Sequence, residues 1–407
     1  MEHFAYAVIA AFVLAYGLIS KRLENTFVTD PMVFVFFGLL LSAPVLGLVT
    51  DKDHVFINTI ANLTLILVLF SDASRIDLPS FWKQGHLALR LLAIGLPLTI
   101  VVGFLAALIV FAQLPIWQAA ILATILAPTD AALAQAVINL EIVPPRVREA
   151  LNVESGLNDG ICLPFLLLFI SLASAAEQVN AGSYWIMFVI DQLVLGPVAG
   201  IFVGYLGGKF VLWAIDRDWM AENYQRLSGL SLSIVAFFVA EGVDGNGFMA
   251  CFFAGLVFGN VARKVSRAVY EFAEAEGQLL ILLTFMLFGA VMLPQVSFVS
   301  GWRVFAYGLF SLTAARMIPV MLSLAGKGLS APGVVFMGWF GPRGAASILY
   351  VLLVVDQHDF SGESIIFQAT AMTVVLSVFL HGLTAVSGAR AYAGTLGAQT
   401  DGGTRPG

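Results

Sequence analysis

Apolar stretches of roughly 17 to 25 residues recur from one end of this chain to the other, and no other feature constrains its fold as tightly. A helix of that length crosses the hydrocarbon core of a bilayer, so the chain reads as an all-α polytopic membrane protein. The charge content agrees. Only 11% of the 407 residues are charged and 59% are hydrophobic, whereas a soluble domain carries about 25% charged residues to cover its surface. The net charge of −6 and the lack of a basic tract exclude nucleic acid as a partner. Cys162 and Cys251 both lie in apolar segments and read as small core residues, with no disulfide or metal role. Met1-Glu2-His3 lacks a positive n-region and no small-residue cleavage site precedes Lys21, so the first apolar segment is expected to remain as a transmembrane helix.

Spans are expected near 3–20, 31–49, 54–70, 87–111, 115–139, 147–174, 183–214, 225–241, 247–261, 277–298, 303–323, 333–356 and 364–388. That makes about 13 transmembrane helices. Charge placement orients them. With the N-terminus outside, sixteen cations fall in inside segments: Lys21, Arg22, Arg75, Lys83, Arg90, Arg146, Arg148, Lys209, Arg217, Arg226, Arg263, Lys264, Arg267, Lys327, Arg390 and Arg405. Only Lys52 and Arg303 fall outside. Positive charge collects on the cytoplasmic side, so the expected topology is N-terminus outside and C-terminus inside, in the cell (inner) membrane.

Two spans carry a proline-glycine interruption near their midpoints: Ala127-Pro128-Thr129-Asp130-Ala131-Ala132 and Gly341-Pro342-Arg343-Gly344-Ala345-Ala346. Aligning Pro128 with Pro342 sets an offset of 214 residues, which carries 87–111 and 147–174 onto 301–325 and 361–388. Both land on expected helices. The pattern reads as two six-helix repeats joined by the helix 183–214, and an odd linking helix inverts the second copy. Unwound backbone at such breaks exposes carbonyls and half-helix ends that coordinate cations or balance buried charge. Asp130 and Arg343 sit at related positions with opposite sign, which suggests mutual neutralisation where the broken helices cross.

The chemistry concentrates in the run Glu154-Ser155-Gly156-Leu157-Asn158-Asp159, which opens a long apolar segment. A carboxylate near mid-membrane costs several kcal/mol and marks a functional site by default. On a helix Glu154 and Asn158 share one face, and Ser155 and Asp159 lie beside them. The result is an oxygen-rich patch suited to a hard cation. Low-dielectric surroundings disfavour the charged form of Asp159, so a proton and a cation compete for it. Glu154 needs a counter-charge, because a second unpaired carboxylate would be costly. Arg316, inside the span 303–323 and permanently charged, is the best candidate. Thr129 and Ser155 read equally well as ligands or as hydroxyls satisfied within their helices. Asp72 and His381 read as satisfied boundary and core residues, outside the site. Recurrent small residues such as Ala131, Ala132, Ala134, Ala136, Ala345, Ala346 and Ser347 permit close helix approach.

With these residues in hand, the chain resembles the monovalent cation:proton antiporters of the NhaP/NHE type. The Pro128-Thr129-Asp130 break, the Glu154–Asp159 run and the Gly341–Ala345 break carry the match, over residues 1–390. The resemblance implies an NhaA-like antiporter fold with crossed broken helices, and a homodimer whose core slides against a dimerisation scaffold. It implies that Asp159 binds the ion and exchanges the proton, with Glu154, Ser155 and the backbone of Thr129 completing the coordination of Na⁺, K⁺ or Li⁺ and Asp130 acting close by. Asn158 marks an Asn-Asp subgroup, Arg316 pairs with Glu154, and Arg343 stabilises the crossing. Phe70-Ser71-Asp72-Ala73-Ser74-Arg75 departs from the glycine-rich acidic segment expected at the end of the third helix.

The expected division is therefore scaffold at 1–86 and 183–298, core at 87–174 and 303–388, and a short cytoplasmic tail at 389–407. The expected activity is sodium/proton antiport by elevator-type alternating access. With Glu154 neutralised by Arg316 and Asp130 by the crossing, only Asp159 titrates, which gives electroneutral 1:1 exchange. Potassium/proton antiport is the alternative, since both ions demand oxygen ligands. No cofactor, enzymatic activity or small-molecule substrate beyond ions is expected. A cation channel, which needs no titrating carboxylate, would show flux uncoupled from protons. An intramembrane aspartyl protease would want a Gly-x-Gly-Asp motif that neither Asp130 nor Asp159 has.

Overall fold

The computed structural model describes residues 2–23, 26–49, 54–79, 86–138, 140–177, 183–296, 301–357 and 360–402. Of the cations used in the charge argument, Lys52, Lys83 and Arg405 lie outside the described residues. All regular structure among the described residues is helical. The helices are α1 (Glu2–Leu23), α2 (Asp30–Leu41), α3 (His54–Ser74), α4 (His86–Val110), α5 (Ile116–Ile125), α6 (Ala131–Ile138), α7 (Pro145–Glu177) and α8 (Ser183–Asp216). There follow α9 (Glu222–Glu241), α10 (Gly247–Val261), α11 (Arg263–Leu287), α12 (Trp302–Leu312), α13 (Ala314–Leu324), α14 (Ala331–Trp339), α15 (Ala345–Gln357) and α16 (Glu363–Gly402). Among the described residues, eight helical stretches are long and apolar enough to cross a membrane: Phe4–Leu23, Ile57–Ser74, His86–Val110, Pro145–Ala176, Leu193–Asp216, Glu276–Gln295, Trp302–Leu324 and Glu363–Thr395.

The expected segments that fall short do so for local reasons. The segment 31–49 is helical only to Leu41, because Pro44 cannot donate and disfavours helical backbone before it. The chain turns there, with Leu48 and Val49 N–H groups both donating to the Leu41 carbonyl. The segments 115–139 and 333–356 each divide into two half-helices around Pro128 and Pro342. The segment 225–241 is one helix, but Glu222, Gln225, Arg226 and Ser228 make its first two turns polar. The helix expected at 54–70 continues to Ser74, which brings Asp72 into its last turn. One further break carries neither proline nor glycine: Thr313, at φ −108° and ψ −94°, separates α12 from α13.

Two sets of helices pack closely among themselves. In the first, Gly196, Gly200 and Gly204 of α8 rest on Asn246, which caps α10, and on Ala250 and Ala254 within it, where a Cβ would strike backbone. Gly255 and Gly259 of α10 rest in turn on the carbonyls of Phe70 and Ser74 in α3. Small residues let backbones approach where lipid supplies no hydrophobic drive, so dispersion contacts do the holding. Helices α2, α9 and α11 complete this set. In the second set α7 packs against α5 and α6, α4 against α5, α12 against α16, and α13 against α14. The candidate site lies in the second set, with α3 and α10 of the first against it.

Candidate functional site

The two proline breaks meet. The Asp130 N–H donates to the Pro342 carbonyl at 2.8 Å, and Arg343 Nη1 donates to the Pro128 carbonyl at 3.1 Å. Each half-helix that begins at the meeting point needs its first N–H groups satisfied. One carboxylate serves both: Asp130 Oδ1 accepts from Leu133 N in α6 at 2.8 Å, and Oδ2 accepts from Ala345 N in α15. A negative group placed between two helix N-termini is favoured by both dipoles. Asp130 is therefore fully engaged by backbone.

The glycines of the second break make room for charged partners. A Cβ on Gly344 would overlap the Asp130 carboxylate, and one on Gly341 would meet the Arg316 guanidinium. Gly344→Ala is thus expected to displace the double cap and destabilise the protein by about 1–3 kcal/mol, as overpacking does. The thermal midpoint of the detergent-solubilised variant checks this; an unchanged midpoint would mean that the carboxylate steps aside freely.

Arg316 follows the Thr313 break by three residues and is 1% exposed, so it does not reach out to the membrane surface. It grips Glu154 with both ends of the guanidinium: Nη1 to Oε1, and Nη2 to Oε2 at 2.8 Å. Such fork-to-fork pairing fixes orientation as well as charge. Both oxygens of Glu154 are occupied by this pair.

Thr129 and Ser155 are joined to one another. Their hydroxyls lie 3.0 Å apart, and Asn158 Nδ2 donates to Thr129 Oγ1 at 2.6 Å. Asn158 thereby turns its remaining oxygen elsewhere. Asn158 Oδ1 and Asp159 Oδ1 are both buried acceptors with no hydrogen-bond donor among the described residues. Buried oxygens of this kind call for a cation or ordered water. Asp159, at 9%, is more exposed than Glu154 (1%), Asn158 (1%) or Asp130 (5%), so of these three carboxylates it is the least enclosed. Oxygen donors alone make up this group, which fits a hard monovalent cation.

Three groups that sequence reasoning placed outside the site, or passed over, support it. Tyr350 in α15 donates its hydroxyl to the Asp159 carbonyl at 2.6 Å. Ser347 donates to the Ile125 carbonyl at 2.8 Å, tying α15 to the end of α5. Asp72 lines a cavity of about 340 Å³ together with Arg75, Glu149, Asn152, Val153 and Gly156. It also lines a smaller cleft beside Ala131 and Ala132, so it stands between the breaks and the turn of α7 that precedes Asp159. An aspartate in the last turn of an apolar helix was the available signal. The Phe252 ring of α10 covers Gly160 so closely that a Cβ there would overlap it.

A family model described as "Sodium/hydrogen exchanger, transmembrane" matches residues 8–387. The K(+)/H(+) antiporter NhaP2 of Shewanella sp. (strain MR-4) is 24% identical over 390 residues, covering 94% of this chain and 66% of that protein. A probable Na(+)/H(+) antiporter of Schizosaccharomyces pombe is 25% identical over 376 residues, covering 86% of this chain and 49% of the other. The chain thus spans between about half and two thirds of the length of these curated relatives. The structure of the sodium proton antiporter MjNhaP1 from Methanocaldococcus jannaschii at pH 8 superposes with a TM-score of 0.78 at 20% identity, covering 97% of this chain and all of that one. That likeness establishes the fold.

Proposed function

The chain belongs to the sodium/hydrogen exchanger family, and from that premise we propose that it is a monovalent cation:proton antiporter whose exchanging group is Asp159. One observation carries the reading. Of three carboxylates at the junction of the breaks, Asp130 is capped by two helix N-termini and Glu154 is held by Arg316. Asp159 Oδ1 alone among their oxygens is buried with no donor among the described residues. A proton or a monovalent cation supplies the same single charge, so each displaces the other. Thr129, Ser155 and Asn158 Oδ1 lie ready as neutral oxygen ligands, Glu154 and Asp130 supply fixed surrounding charge, and Arg343 holds the breaks together. The cavity lined by Asp72 and Gly156 is the approach.

Sodium is the preferred cation in this reading, exchanged one for one and hence electroneutrally. The K(+)/H(+) antiporter relatives favour potassium as the second reading. The architecture we assign is thirteen crossings in two inverted repeats, in the cell membrane, with the N-terminus outside and the C-terminus inside. The set containing Asp159 moves as an elevator against the glycine-packed set, in a homodimer. Support comes from the positive-inside charge bias and from the close packing within each set.

In proteoliposomes carrying a pH gradient, addition of NaCl or LiCl is expected to move protons faster than KCl, and choline chloride not at all. Imposed voltage at matched ion gradients should leave the rate unchanged. A larger response to KCl would establish the potassium reading. A rate that follows voltage would end the 1:1 assignment, and cation flux without proton movement would end antiport altogether.

A further inference from the structure

His381 was set aside as a core residue on sequence grounds, yet the structure gives it a larger task. The imidazole is 2% exposed, and both ring nitrogens have partners. Nε2 lies 2.9 Å from the carbonyl of Trp339, the last residue of α14. Nδ1 lies 3.2 Å from Ser377 Oγ and 3.0 Å from the Ser377 carbonyl, one turn back along α16. Ser377 Oγ in turn accepts the Arg343 backbone N–H at 2.6 Å.

Nε2 serves the Trp339 carbonyl as an N–H donor, while Nδ1 meets both the Ser377 hydroxyl, which can donate or accept, and the Ser377 carbonyl, which only accepts. Arg343 N–H donates to Ser377 Oγ, Ser377 meets Nδ1, and Nε2–H donates to the Trp339 carbonyl. These contacts close a loop around residues 339–343. Residues 340–344 lie between the two half-helices. Trp339 Nε1 adds a second tie to the same helix, donating to Thr384 Oγ1 at 2.9 Å. Residues 377, 381 and 384 fall on one face of α16, which thus clamps the break.

We propose that His381 is a positioning residue for cation binding. Bonded at Nε2 to the Trp339 carbonyl and at Nδ1 to Ser377, it sets the backbone of the second break. Arg343 then reaches the Pro128 carbonyl, and the adjoining Thr129 is held where Asn158 and Ser155 meet it. His381 touches neither cation nor proton. This inference rests on the antiporter reading above, so its test needs a measurement that separates the two.

Cation-dependent thermal stabilisation of the detergent-solubilised full chain, titrated with NaCl and KCl against choline chloride, reads affinity without transport. The proteoliposome assay then separates KM from maximal rate. His381→Ala is expected to raise both the apparent Kd and KM for the cation about five- to tenfold, the scale of one net hydrogen bond, with maximal rate nearly unchanged. His381→Gln, whose amide donates to the Trp339 carbonyl, should recover most of that affinity. Ser377→Ala should show the same shift as His381→Ala, and the double variant no further shift, because both break one chain. A wild-type chain that no cation stabilises would sink the antiporter reading and this proposal with it. Wild-type stabilisation with unchanged affinity in folded His381→Ala would overturn the positioning role alone. So would additive effects of the two substitutions, or a loss of folded protein whose remaining fraction binds normally.

Discussion

Asp159→Asn is expected to reduce cation-coupled proton movement to the level of protein-free vesicles while the protein still folds. The substitution keeps the shape of the side chain and removes only its ability to carry charge. What remains nearby cannot replace it: Thr129, Ser155 and Asn158 are neutral, Asp130 is committed to Leu133 and Ala345, and Glu154 to Arg316. A monovalent cation leaving water for this site would meet dipoles but no counter-charge that it could share with a proton. The Tyr350 bond goes to the backbone carbonyl of Asp159, so it survives the change and helps the variant fold. Two readouts should move together, the proton signal on adding NaCl and the stabilisation by NaCl of the solubilised protein. Retained stabilisation with lost proton movement would mean that Asp159 carries the proton but does not hold the cation. Exchange at a rate comparable to the unmodified chain would remove Asp159 from the mechanism.

Much of this site was legible because its determinants are costly in a membrane. Pro128 and Pro342 announce helix breaks, since each removes a donor, and in the structure the two breaks meet. Asp159 and Glu154 stand out as carboxylates in an apolar helix, and Arg316 was the natural counter-charge within a span. What stayed hidden has a common physical form. Tyr350, Ser347 and His381 act on backbone carbonyls of Asp159, Ile125 and Trp339. Every residue has such a carbonyl, so no partner residue type signals the contact. The Thr313 break carries no proline or glycine, and it matters because Arg316 lies three residues beyond it. Gly341 and Gly344 read as helix breakers, whereas their missing side chains also admit Arg316 and Asp130. The close seat of Gly196, Gly200 and Gly204 against Asn246, Ala250 and Ala254 depends on a packing that their four-residue spacing alone does not specify. Asp72 looked like a boundary residue because its helix was expected to end four residues before Ser74, and so before Asp72 itself.

The largest effect on stability should come from breaking the Glu154–Arg316 pair from one side. Both side chains are at most 2% exposed, so removing either partner leaves an uncompensated charge away from water. Arg316→Met is expected to cost about 3–5 kcal/mol, and Glu154→Gln a comparable amount, because the penalty is that of the charge left behind. The double variant Glu154→Gln/Arg316→Met should recover most of this loss, since nothing charged then remains unpaired. Thermal midpoints of the four proteins form a cycle whose coupling term measures the pair directly. Transport by the double variant separates two tasks that Glu154 could perform. If the pair serves only to hold α7 against α13 beside the Gly341 break, exchange persists with an unaltered cation KM, because Asp159 still supplies the exchanging charge. If Glu154 also lends an oxygen to the cation, KM rises while the rate stays insensitive to voltage, since the number of titrating groups is the same. A double variant whose exchange becomes voltage-dependent would contradict both, for it would mean that the Glu154–Arg316 pair changes its charge during the cycle rather than standing as a fixed, neutral strut.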